Sequence, residues 1–116
     1  MNLAIVLAAL TAVVFVVAGA AKILAVPPMQ AAAGHAGFSV DAYRRIGVLE
    51  VAGAGGVLIG VIYPLIGGVA SVGLLMLLAG AMVTHLRSHD RPRQVAPAVI
   101  CIVLVAGYLA ALVGTS

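Results

Sequence analysis

The sequence predicts an all-α integral membrane protein: a four-helix bundle with both termini on the extracytoplasmic side. Three observations predict it. Of 116 residues, 65% are apolar and only 8% charged, against about 25% charged in ordinary soluble domains. The apolar residues gather into four runs, each near the roughly 20 helical residues that a hydrocarbon core about 30 Å thick requires. All six Lys and Arg residues fall on one side of the topology that four spans create.

The elements follow in order along one domain, 1–116, with no internal repeat. The first span is Leu3 to Val26, ended by Pro27 and Pro28, which cannot continue a helix interior. It lacks a basic n-region and is long for an h-region, so it reads as a span rather than a cleavable signal. PPMQAAAGHAGFSVDAYRR is too polar and too short to cross. Within it, PMQAAAGHA predicts a short interfacial helix stopped by Gly37. Ser39 predicts an N-cap, with Asp41 in the first turn at the positive end of the dipole. The second helix therefore begins near Val40, and its spanning part is about 46–63, before Pro64. The third span is about 66–86. The fourth is about 96–114, with Pro97 in its first turn.

Charge gives the direction. Lys22, Arg44, Arg45, Arg87, Arg91 and Arg93 share one face with Asp41, Glu50 and Asp90. The opposite face carries no charged side chain. By the positive-inside rule the charged face is cytoplasmic. The net charge of +3 does not point to nucleic acid, because six basic residues beside apolar runs read as orientation signals. Cys101 is the one cysteine, which excludes an internal disulfide or a CxxC pair. It reads as a small buried apolar residue.

Three ionisable groups fall at one depth, just inside the cytoplasmic boundary: Lys22, Glu50 and His85. A carboxylate facing lipid is costly, whereas one paired inside a bundle is tolerated. Lys22 therefore reads as the partner of Glu50, or alternatively as a side chain snorkelling to headgroups. His85 either joins them or bonds backbone at the boundary. Tyr108 reads as a hydroxyl seeking a partner within the bundle or as an interfacial anchor. These four are the candidate ligand-binding residues. Gly19, Gly53, Gly56 and Gly60 predict close helix packing around the layer, with Gly73 and Gly80 doing the same for the third span.

His85 and His89 stand four apart, a spacing zinc sites use. The glutamate of HExxH is missing and nothing marks a third ligand, so no metal site is assigned. GAGGVLIG is not a dinucleotide fingerprint, and no P-loop or Ser-His-Asp order occurs.

GAAKIL (19–24), AGHAGFS (33–39), YRRIGVLEVAGAGGVLIG (43–60) and AGAMVTHLRSHD (79–90) resemble the DoxX-like family of small four-helix bacterial membrane proteins. The shared features are Gly19 with Lys22 closing the first helix, Glu50 early in the second, and His85 closing the third. The family is named for a subunit of a thiosulfate:quinone oxidoreductase. The resemblance implies a multi-pass protein of the bacterial cytoplasmic membrane, an accessory or anchor subunit of a membrane redox complex. It implies a quinone or lipid pocket near the cytoplasmic boundary, formed by Lys22, Glu50 and His85. No cofactor is encoded by the chain itself, so electron transfer requires a partner subunit; the expected partners are membrane lipid, that subunit or a second copy. Two other functions compete. One is a scaffold or assembly factor without ligand. The other is a small proton-coupled transporter, disfavoured because a lysine beside the glutamate lowers its proton affinity and competes with a cation.

Overall fold

The structure, a computed structural model, describes residues 2–114. It contains α1 (Leu3–Ile23), α2 (Pro27–Ala36), α3 (Val40–Ile59), α4 (Pro64–Arg87) and α5 (Pro92–Gly114), with no strand among the described residues. α1, α4 and α5 are long and apolar enough to cross a membrane. α3 is not one of those three, because Asp41, Arg44, Arg45 and Glu50 interrupt its 20 residues.

Local chemistry sets the helix ends. Ser39 caps α3 by accepting from the Ala42 N–H at 3.0 Å, and Asp41 lies in the first turn, as the sequence predicts. Three helices end in the same hydrogen-bonded turn, in which a left-handed residue folds the chain back over the last turn. In α1 that residue is Ala25, φ 52°, with Val26 N–H donating to the Ala21 carbonyl at 3.2 Å. α1 therefore stops at Ile23, short of the expected Val26. In α2 it is Gly37, φ 82°, with Phe38 donating to Ala33. In α4 it is His89, φ 54°, with Asp90 donating to the His85 carbonyl at 3.0 Å.

Pro97 departs from expectation. α5 begins at Pro92, not near Ala96, because Gln94 accepts from the Arg91 N–H and starts the helix earlier. Pro97 is thus interior and removes the bond to the Arg93 carbonyl.

α1 packs most extensively on α3, α3 on α4, α4 on α5, and α5 returns to α1. α2 lies mainly against α3. Small residues let backbones approach where the sequence predicts, and at two positions where it does not. A Cβ on Gly47 would meet the Gly19 carbonyl oxygen at 2.6 Å, and one on Gly19 would meet that of Gly47 at 2.7 Å. This α1–α3 crossing lies one turn from Lys22. Gly60 meets Gly67 of α4 at equally close quarters, and Gly56 faces Ala70. Gly73 and Gly80 do not hold α4 to a neighbour, since a Cβ at either would meet open space. Gly67 fills that role.

The two halves of the molecule differ. Toward the termini, Ala8, Ala12, Phe15, Val57, Leu74 and Tyr108 belong to a packed apolar core. Toward the other end the same helices separate around a cavity.

Candidate functional site

The cavity has a volume of about 720 Å³. Phe15, Leu78, Ala98 and Cys101 line its apolar part, and α2 contributes Ala31, Ala32 and His35. Its polar residues come from every helix: Lys22, Tyr43, Glu50, Thr84, His85 and Gln94, with Asp90 from the α4–α5 turn. Two charge clusters organise them.

The first cluster answers why a carboxylate stands inside an apolar run. The Lys22 ammonium lies 2.7 Å from Glu50, with side chains 18% and 7% exposed. The Gly19–Gly47 crossing produces this pair. Without side chains between them, α1 and α3 approach closely enough for Lys22, one turn past Gly19, to reach Glu50, three residues past Gly47. The ammonium also stands 5.8 Å from the centroid of the Tyr43 ring, within cation–π range. Phe38 packs on the same ring at 5.9 Å between centroids. Tyr43 precedes the apolar part of α3. Burial raises its phenol above the ordinary value, and the charges of Glu50 and Asp90 add to this, so it remains a neutral hydrogen-bond donor.

The second cluster centres on Asp90, whose side chain is 7% exposed. Its two carboxylate oxygens each bind an imidazole at 2.6 Å, His35 Nε2 on Oδ1 and His85 Nδ1 on Oδ2. The turn at the end of α4 explains the second contact, because it brings Asp90 back over His85. The first contact ties α2 to the α4–α5 turn across 55 residues of chain. Hydrogen bonds from His35 and then His85 hold the Asp90 carboxyl below the usual carboxylate range.

The structure thus brings three of the four candidate residues, Lys22, Glu50 and His85, to one cavity. It separates Tyr108 from them: its hydroxyl donates to the Val57 carbonyl at 2.7 Å inside the packed core, and it does not line the cavity. Its environment matches the first of its two readings, an internal partner rather than an interfacial anchor. His89 does not share a helical face with His85, since α4 ends at Arg87. It is exposed. Sequence reasoning missed the pairing of His35 and Asp90 with the layer. The signal was present in part: the GHAG of α2 and the five-residue spacing of His85 and Asp90. Nothing local reveals that the two meet.

The arrangement offers an apolar chamber with hydrogen-bond donors and acceptors gathered at one end. That is the requirement for holding an amphipathic molecule by its headgroup.

No curated protein and no solved structure gives a significant match to the chain. The model of the DoxX-like family matches residues 6–107, a stretch that contains all of the cavity's polar residues, and the chain belongs to the DoxX-like family.

Proposed function

We propose that this membrane protein has four spanning helices with both termini extracytoplasmic, and that its cavity takes the headgroup of a quinone or a lipid. On this reading the chain serves as an accessory or anchor subunit of a redox complex in the bacterial cytoplasmic membrane.

The observation that carries the reading is the cavity itself, apolar along its helices and polar where Lys22–Glu50 and His35–Asp90–His85 meet it. Those residues suit a quinone headgroup: Lys22 and Tyr43 are donors for an oxygen, and Phe15, Leu78 and Ala98 flank an apolar body. A quinone would supply the electron-carrying chemistry; the chain's own residues would orient the ring and exclude water. The largest dimension of the molecule, 42 Å, exceeds the ~30 Å of a hydrocarbon core, which supports full crossing. α3 joins the spans on this account because Glu50 is neutralised inside and its remaining charges gather at one end. The exposed Arg44, Arg45, Arg87, Arg91 and Arg93 support a cytoplasmic assignment of that end. The 2.7 Å ion pair counts against cation transport through Glu50.

Native mass spectrometry of the gently solubilised protein tests this, with identification of any retained molecule. A quinone or lipid retained by the wild type, and lost in Glu50→Gln and in the cavity-filling Ala81→Phe, is expected. A bare chain, or one held only to another protein, would replace this reading with a scaffold.

A further inference from the structure

We infer that Asp90 presets the tautomer of His85 so that its Nε2 offers the cavity a hydrogen-bond acceptor, and that the site therefore prefers a ligand carrying a hydroxyl, of the phenol or hydroquinone class. The inference rests on the proposed binding of an amphipathic headgroup and specifies which form of it is taken.

The argument starts from the donor and acceptor inventory. An ionised carboxylate only accepts. Both of its oxygens are occupied by ring nitrogens at 2.6 Å, so each of those nitrogens must carry a proton. A neutral imidazole has only one. In its neutral form His85 is then the Nδ1–H tautomer with a bare Nε2, and neutral His35 is the Nε2–H tautomer with a bare Nδ1. His85 lines the cavity, and its Nε2 has no partner among the described residues. A carbonyl oxygen brought to that nitrogen would face a lone pair. A hydroxyl would donate to it, and Asp90 would stabilise the positive charge that the imidazole gains as it draws on the proton. Asp90 is thus a positioning residue, and His85 is the residue that touches the ligand. Donors for an acceptor oxygen lie instead at Lys22 and Tyr43.

Two measurements test this on the full chain in lipid nanodiscs. The first needs no ligand: nitrogen-15 NMR of labelled histidine at a pH where the rings are neutral, with exposed His89 as internal reference. His85 protonated at Nδ1 is expected; protonation at Nε2 overturns the assignment. The near-isosteric Asp90→Asn keeps two hydrogen bonds, but its amide accepts from one ring and donates to the other. One of the two imidazoles should therefore invert its tautomer, and unchanged tautomers in both would overturn the assignment of tautomer control to Asp90. The second measurement compares, under anaerobic conditions, binding of a hydroquinone bearing a ten-carbon tail with its own quinone. The hydroquinone is expected to bind the wild type about ten-fold more tightly, the effect of one buried hydrogen bond. Asp90→Asn should shrink that ratio where the spectrum shows His85 as the inverted ring and leave it unchanged where His35 inverts; the opposite pairing overturns the inference. Equal affinities, or preference for the quinone, overturn the inference while leaving the cavity reading intact. Binding of neither probe overturns the inference and, with it, the quinone form of the cavity reading. If Asp90→Asn does not fold, the wild-type spectrum and affinity ratio still decide.

Discussion

Replacing Glu50 by Gln removes one charge from a pair that is nearly sealed from solvent. The two groups are 2.7 Å apart, and the carboxylate side is 7% exposed. Removing one partner of a buried pair costs about 3–5 kcal/mol, because the other charge is left uncompensated. Lys22 is 18% exposed and its long stem lets the ammonium move toward headgroups, which favours the lower end. The introduced amide still accepts a hydrogen bond from Lys22, returning about 1 kcal/mol. The expected loss is therefore about 2 kcal/mol, roughly thirty-fold in the folded-to-unfolded ratio. Adding Lys22→Met removes the stranded ammonium and should restore more than half of that. The assay is reversible unfolding in mixed detergent micelles followed by far-UV circular dichroism, run as a double-mutant cycle. If the double variant is as unstable as the sum of the two single variants, the pair does not act as a unit and the reasoning fails.

Four further outcomes follow from the same geometry. Gly47→Ala should destabilise by about 1–3 kcal/mol, since its Cβ would stand 2.6 Å from the Gly19 carbonyl. Gly73→Ala should be neutral or stabilising by about 0.5–1 kcal/mol, and equal losses at both sites would contradict the packing described. Tyr108→Phe should cost about 0.5–1.5 kcal/mol by leaving the Val57 carbonyl unpaired, with ligand retention unchanged; loss of ligand would place Tyr108 in the site after all. For Asp90 the folded pKa is depressed, so its clasp contributes fully above the unfolded value of about 3.9 and is lost as pH falls through the lower folded value. Carbon-13 NMR of labelled aspartate should show Asp90 titrating below the ordinary carboxylate value of about 3.9, as its two imidazole hydrogen bonds require. A midpoint at or above that value would contradict the double hydrogen bond.

Much of the framework is written locally. Ser39, Asp41, Gly37 and the Pro27-Pro28 pair act within a turn or two of their own positions, and the helix limits near them follow from such contacts. Limits set by less distinctive residues are less legible. Ala25 and His89 take a left-handed conformation that glycine or asparagine would have advertised, so α1 ends earlier than its apolar run. Gln94, a side chain that caps as readily as it solvates, moves the start of α5 forward and leaves Pro97 interior. The glycine positions show the same division. Small residues promise close packing, but whether they face a neighbour depends on helix rotation. That rotation brings Gly19, Gly47, Gly60 and Gly67 into contact and turns Gly73 and Gly80 to open space.

Composition, periodicity and charge by themselves determined that this chain is helical and made for a membrane, because each is a sum over many residues and survives small errors of boundary. The order of the charges along the chain was enough to bring Lys22, Glu50 and His85 to one depth, since rise along a helix is proportional to residue count. Only the tertiary structure decided what meets at that depth. His35 and Asp90 lie 55 residues apart on elements with no regular spacing between them. Their joining depends on how α2 lies over α3 and on the direction the chain takes at the left-handed His89. Tyr108 went to the core rather than the cavity for the same reason. Depth is a one-dimensional property that sequence carries, whereas the azimuth of a side chain around its helix, and the partner it meets there, is fixed by packing.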